Sequence, residues 1–482
     1  MPENIQELNP RLLWKNFATL CNIPRPSKNE EKVIDFVVNF AKLHQLEYKK
    51  DEVGNVVISK PATIGYESRS TIVLQGHLDM VAQKNADTIH DFDNDPIQAY
   101  IDGEWVRARG TTLGADNGIG VAAALAILES TDLQHGPIEA LFTVDEETGM
   151  TGAFNLSPDF ISGRILLNLD SEDDGELFIG CAGGVNTTAI FKYTQEPVVG
   201  NAKSFQVKLT GLKGGHSGVD IHLGRGNANK IMNQLLVKLS SKIDIRITSI
   251  DGGSLSNAIP RESFVYVVVP VENQSILVRL VDEFDKNMHD EFSLEPDLKI
   301  EIATIEKPGL VIDKTTQDNL LKAINDIPDG VVRMSDNMPG IVETSSNLAI
   351  VKSSDNQIEV NLLLRSSVDS AKTELSEAIA DIFEQAGADV INDGTYPGWA
   401  PNVESPILAK MTRVYNEKFG SLPEVKVVHA GLECGLIGDV YKGIDMVSFG
   451  PSIRNPHSPD EMVNIATVEK FWVYLTEILK AV

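Results

Sequence analysis

The sequence predicts an α/β protein whose mainly parallel sheet, flanked by helices, is interrupted by an inserted α+β domain. Three observations carry this expectation. Short β-branched runs alternate with helical stretches over residues 1–186, the texture changes to paired strands over 187–382, and α/β alternation returns over 383–482.

Taken in order, Ser27 followed by Glu30 forms a capping-box pattern ahead of a helix with Val33, Val37, Phe40 and Ala41 on its apolar face. NVVIS at 55–59 and TIVLQ at 71–75 read as strands bounded by turn residues. GTTLGADNGIG then runs into an apolar helix, VAAALAILES, and the strand-like runs EALFTV (139–144) and RILLNLD (164–170) follow. In the middle region SFQVKLTG, a helix near 226–241, IDIRITSI, SFVYVVVP, a helix near 273–290 and LKIEIATI give the order β-α-β-β-α-β of a ferredoxin-like unit. A helix near 315–326, a hairpin of SNLAIVKSS and IEVNLLLRSS turning at Asp355–Asn356, and a helix at 370–386 complete this region. Its two halves, about 100 residues each, suggest a decayed doubling, although no clear sequence repeat links them. The tail reads as a helix near 404–418, the strands KVVHA and IDMVSFG, and a long amphipathic helix from 466 to 480.

Composition narrows the function classes. Lys and Arg number 42 against 69 Asp and Glu, a net charge of −27. That excess excludes a nucleic-acid binder, which needs clustered cations, and an anchor on anionic membrane. The three cysteines, Cys21, Cys181 and Cys434, are far apart and odd in number, a pattern of reduced thiols. The start, MPENIQELNP, has neither the basic nor the apolar region of a signal peptide, and VAAALAIL is too short to span a bilayer. A cytoplasmic protein is expected.

Chemistry concentrates at predicted strand ends. His77 and Asp79 in LQGHLDMV have the spacing of a metal-bound imidazole held by a carboxylate, and equally of a surface His–Asp pair. Asp116 opens a helix, where capping is the ordinary reading, and the glycines around it lack a phosphate-loop Lys. Asp145, Glu146 and Glu147 end one strand and Asp170 another, and His457 lies in a loop after IDMVSFG. In a parallel sheet these positions converge on one crevice, where the acids would repel one another without a cation. Oxygen ligands with imidazole and no thiolate suit Zn2+, Mn2+ or Co2+, and two His, one shared Asp and two further carboxylates can serve two ions. Adjacent Glu146 and Glu147 diverge from an extended backbone, leaving one as ligand and the other as base.

In order, His77-x-Asp79, Asp116-Asn117, Glu146-Glu147, Asp170, the GGHSG around His216 and the HSPDE from His457 resemble the dinuclear-zinc metallopeptidases that include glutamate carboxypeptidase, aminoacylase and carnosinase. FTVDEETGMTGA, CAGG and HAGLECG look most like its aminoacyl-histidine (Xaa-His) dipeptidase branch. The resemblance covers essentially the whole chain and implies a catalytic domain interrupted by a lid. It implies that Asp116 bridges two divalent ions, Zn2+ first with Co2+ or Mn2+ as alternatives. His77 and Asp170 would bind one ion, and Glu147 and His457 the other. Glu146 would be the general base toward a metal-bridging water, Asp79 would orient His77, and the Asp116–Asn117 peptide would be cis. From the lid, His216 would stabilise the oxyanion, while Asn257 and Arg365 would hold the substrate backbone and terminal carboxylate. His222, His429 and Glu433 are candidates without a role. The implied activity is hydrolysis of L-dipeptides, Xaa-His and broader. The alternatives are a tripeptide aminopeptidase, an N-acyl amino-acid amidohydrolase, and a catalytically silent peptide binder. Small peptides are the expected partners, and a homodimer is left open.

Overall fold

The computed structural model describes residues 4–306, 308–354 and 356–482. The chain divides into two units, the first made of Met1–Cys181, Trp399–Val427 and Leu432–Val482, the second of Ala182–Gly398 and Val428–Gly431. The expected boundaries at 186 and 382 fall inside elements. Strand Gly183–Lys192 lies wholly in the second unit, and helix Asp369–Gln385 and strand Asp389–Tyr396 finish it.

In the first unit an eight-stranded sheet runs Glu47–Lys50, Val56–Lys60, Ile138–Thr143, Ile72–His77, Ile165–Asn168, Asp445–Ser448, Glu176–Cys181, Glu424–Val428. Its centre is parallel: Ile72–His77 pairs in parallel with both neighbours, and Ile165–Asn168 pairs in parallel with Asp445–Ser448. Every residue of the IVLQGH strand is buried, as a strand covered on both faces requires. Helix Ala115–Glu129 is apolar all round and buried along almost its whole length, packing against helix Arg11–Cys21. The predicted capping box is not formed. Helix Glu31–Leu43 has no side-chain cap, and the Ser27 hydroxyl instead donates to Asp79 Oδ2 at 2.8 Å. A buried ionised carboxylate is a stronger acceptor partner than a helix-end amide is a donor, so the tertiary bond wins over the local pattern.

The second unit is one nine-stranded antiparallel sheet carrying two ferredoxin-like modules. In the inner module, strands Ala202–Thr210, Arg246–Gly252, Ser263–Pro270 and Lys299–Ile305 stand in the order fourth, first, third, second, with helices Ala228–Ser240 and Gln274–Glu291 between them in the chain. The outer module has strands Gly183–Lys192, Val342–Ser354, Gln357–Ser366 and Asp389–Tyr396 with helices Lys314–Asp326 and Asp369–Gln385, and shows the same order read from the other end. The two meet where Arg246–Gly252 pairs with Val342–Ser354. The doubling is therefore present, but the inner module is inserted after the first strand of the outer one, which hides any tandem repeat. Leu235, Leu277, Leu320 and Ile379 from the four helices join one buried core with the sheet. The hairpin closes with Ser354 opposite Gln357; Asn356 has φ 62°, and Asp355 of the predicted turn lies outside the described residues. Among the described residues, no helix is long and apolar enough to cross a membrane.

Candidate metal centre

Six side chains of the first unit meet at the carboxyl ends of its parallel strands. His77 closes strand Ile72–His77, Asp170 follows strand Ile165–Asn168, and Asp116 lies in the first turn of helix Ala115–Glu129 at non-helical φ −80°, ψ 115°. The Asp116–Asn117 peptide is cis. His457 sits at φ 59° between strands Ile453–Arg454 and Met462–Asn464. Glu146 and Glu147 depart from expectation in one respect. They lie on a helical turn, Glu146–Gly149, so they diverge by helical rotation and not by strand alternation.

Apart from Glu146, the distances divide these groups into two sets that share Asp116. His77 Nε2 is 3.2 Å from Asp116 Oδ1 and 3.3 Å from Asp170 Oδ1. His457 Nε2 is 3.1 Å from Asp116 Oδ2 and 2.9 Å from Glu147 Oε2. Each oxygen of Asp116 thus faces a different imidazole, and each imidazole faces one further carboxylate. His77, Asp116 and Asp170 form one group able to hold a metal ion, and Asp116, Glu147 and His457 form another. Ligand atoms of a tetrahedral Zn2+ lie about 3.3 Å apart, close to these separations. Glu147 Oε1 is buried without a hydrogen-bond partner, so an acceptor stands free where a cation would use it. The residues present fit two divalent ions.

The electrostatics agree. Burial works to lower His77, but Asp170, Asp116 and Asp79 together raise it well above the ordinary imidazole value. Asp116 and Glu147 push His457 up to about 11. Burial pushes Asp170 up to about 6 and raises Glu146 well above the usual carboxylate range. The carboxylates around both imidazoles thus favour positive charge at this place, whether a proton or a metal ion supplies it.

Supporting side chains fix these groups. Asp79 faces His77 Nδ1 at 3.4 Å and accepts the Glu146 and Glu147 backbone N–H groups at 3.0 and 3.2 Å, tying the His77 strand to the Glu146 turn. The Asp145 carboxylate accepts from the hydroxyls of Thr148 and Thr151 and so ties that turn to the next. Glu433 lies one layer beneath: Gln75 Nε2 and Thr143 Oγ1 donate to its Oε2 at 2.6 and 2.7 Å, and Asn168 continues the row by donating to Gln75 Oε1 at 2.5 Å. Two buried groups escaped the sequence reading, Arg25 and Glu461. Glu461 stands in the HSPDE motif four residues after His457, which was the one signal for it; Arg25 belongs to no motif.

The predicted lid residues come together within the second unit. Gly215–His216 pairs with Ala258–Ile259, and the Ser217 N–H donates to the Asn257 carbonyl at 2.8 Å. Asn347 holds the same loop by donating to the carbonyls of Ser256 and Ala258. Arg365, buried on strand Gln357–Ser366, donates to Tyr396 OH at 2.9 Å and to Ser217 Oγ at 3.4 Å. The backbone N–H groups of Gly218 and Val219 both donate to His216 Nδ1 at 3.0 Å. That ring nitrogen is therefore the acceptor, and the neutral imidazole carries its proton on Nε2. Burial and the Arg365 charge lower the His216 pKa, which keeps that neutral form. His429 Nε2 pairs with Ser345 Oγ at 2.7 Å, whereas His222 is exposed on a short 3-10 turn.

Residues 73–481 match Peptidase family M20/M25/M40. The sequence is 44% identical over 479 residues to the cytosol non-specific dipeptidase of Escherichia coli (strain K12), covering 99% of each chain. The crystal structure of aminoacylhistidine dipeptidase from Vibrio alginolyticus is similar with a TM-score of 0.95 at 46% identity, over 99% of this chain and 98% of that one. Aminopeptidase PepT from Bacillus cereus, 17% identical with a TM-score of 0.58 over 98% and 99% of the two chains, shares the fold.

Proposed function

We propose that this chain, which belongs to Peptidase family M20/M25/M40, is a dinuclear metal-dependent dipeptidase acting on L-dipeptides, Xaa-His among them. The observation that carries the reading is Asp116, whose two oxygens face two imidazoles that each have a carboxylate of their own. Full-length similarity to two proteins named as dipeptidases supports the substrate class.

His77 and Asp170 would hold one ion and His457 and Glu147 the other, with Asp116 between them. Bound there, two divalent ions polarise a carbonyl and lower the pKa of water. Zn2+ suits the donor set, and Co2+ or Mn2+ would be accepted by the same ligands. Glu146, adjacent to the Glu147 ligand and raised by burial, takes the proton of the attacking water and returns it to the leaving amine. Asp79 orients His77 through Nδ1. His216 offers its Nε2–H to the oxyanion, Arg365 its guanidinium to the substrate carboxylate, and Asn257 its amide to the substrate backbone. A cytoplasmic setting fits three buried cysteine thiols and the similarity to a protein named for the cytosol.

The test is a panel of di-, tri- and N-acylated peptides, assayed after chelation and again after adding back Zn2+, Mn2+ or Co2+. Dipeptide hydrolysis lost on chelation and restored by one of the ions is expected. Activity that survives complete metal removal, or is confined to tripeptides or N-acyl amino acids, refutes the reading.

A further inference from the structure

Four backbone N–H groups converge on a single buried carboxylate beside the candidate centre. Glu461, 2% exposed, accepts from Leu113 and Gly114 at Oε2 (2.7 and 2.9 Å) and from Ala115 and Asp116 at Oε1 (2.7 and 3.3 Å). Arg25, also 2% exposed, grips the same segment by its carbonyls. It donates to Gly114 O at 2.5 Å and, through Nη1, to Leu78 O and Asp79 O at 3.0 and 2.9 Å. Gly114 has φ 69°, and a Cβ there would stand 2.6 Å from Arg25 Nη2, so this position needs glycine for both conformation and space. The clamp reads only backbone atoms. It therefore fixes where the Cα of Asp116 lies without touching the carboxylate.

Chain position gives Glu461 a second connection. It follows His457 by four residues, and its own N–H donates to Ser458 O at 2.9 Å, closing the turn between them. The loop that brings His457 Nε2 within 3.1 Å of Asp116 Oδ2 is thus the loop that holds the Asp116 backbone. His77 and Asp170, by contrast, are set by the ends of two parallel strands. We infer that Glu461 is a positioning residue that ties the His457 loop to the Leu113–Asp116 segment, so that His457 and the shared Asp116 assemble as one unit for the second of the two ions. This rests on the dinuclear reading of the site.

A buried carboxylate stapling a loop is also an ordinary structural device, and the first unit supplies a control. Glu139 accepts from Ser162 N, Ser162 Oγ and Gly163 N, away from the five candidate ligands. The experiment measures Zn2+ content of full-length protein by elemental analysis across a series of chelator-buffered free Zn2+ concentrations. Wild type is expected to hold two ions. Glu461→Ala should hold one where wild type holds two, its weaker site shifted about 10–100-fold, the usual cost of losing an outer partner of a metal ligand. Adding Glu461→Ala to His457→Ala should lower Zn2+ content no further than His457→Ala does. Glu139→Ala should lower the melting temperature and keep both ions. Should Glu461→Ala fail to fold, Glu461→Gln retains one acceptor oxygen and should show the same split at smaller size. Two ions bound as in wild type, both weakened equally, or the same split in Glu139→Ala would each overturn the inference. A wild-type protein binding fewer than two ions would instead overturn the site on which it rests.

Discussion

Two pairs of histidines, one pair in each unit, are driven in opposite directions. His77 and His457 in the first unit are raised by carboxylates, His457 to about 11. In the second unit, burial and Arg365 lower His216, and burial, Arg365 and His216 push His429 down to about 3. Acids around the ring thus favour positive charge on or beside it, while a neighbouring guanidinium favours the neutral form. On the proposed reading, the first unit takes positive charge and the second supplies donors to negative charge. Amide hydrolysis calls for both, since the carbonyl must be polarised while the oxyanion and the product carboxylate need donors.

This contrast can be broken one residue at a time. Glu146→Gln removes the proposed base and should lower kcat by about 10^2–10^4-fold with metal content unchanged. Loss of metal in that variant would make Glu146 a ligand instead. His216→Ala should lower kcat by about 10^2–10^3-fold, again with both ions retained, because the residue belongs to the donor side. Arg365→Lys keeps the charge but loses the planar fork, and should raise KM for unmodified dipeptides by roughly tenfold with a smaller change in kcat. Equal KM increases for C-terminally amidated dipeptides would detach Arg365 from carboxylate recognition. The last prediction concerns stability. His429 has a folded pKa of about 3, below its unfolded value of about 6.5, so between these pH values the unfolded chain binds the extra proton. Its contribution is present above about pH 6.5 and is lost as pH falls toward 3. Thermal unfolding of His429→Asn should therefore decline less steeply with acid over that range than wild type. An unchanged slope would show that His429 is already charged in the folded state.

Much of this site was legible because its chemistry demands particular side chains at strand ends: His77, Asp116, Glu147, Asp170 and His457 are acids and imidazoles in apolar surroundings. Arg25 was not legible, and the role of Glu461, visible only as the last residue of HSPDE, was not either, for the opposite reason. They act on the carbonyls and N–H groups of residues 78–79 and 113–116, and a backbone partner leaves no mark on the sequence. Ser27 shows how a local pattern misleads. Its spacing to Glu30 is that of a helix cap, yet the hydroxyl is taken by Asp79, a residue fifty-two positions away that only the fold brings near. The inserted ferredoxin-like module was visible as a run of elements, while the module around it was broken by that insertion and read as an incomplete half.

The nesting of strands also sets an order in time. The inner module of the second unit is contiguous from Ala202 to Ile305 and can pair its strands as soon as it leaves the ribosome. Strand Gly183–Lys192 must wait for its neighbour Gln357–Ser366, and one of the two neighbours of Ile165–Asn168 in the first unit is Asp445–Ser448, made about 280 residues later. His457 and Glu461 follow later still. A nascent chain therefore carries the acids of the candidate site for about 290 residues before His457 joins them, and on the proposed reading a message truncated before codon 457 lacks part of the second ligand set.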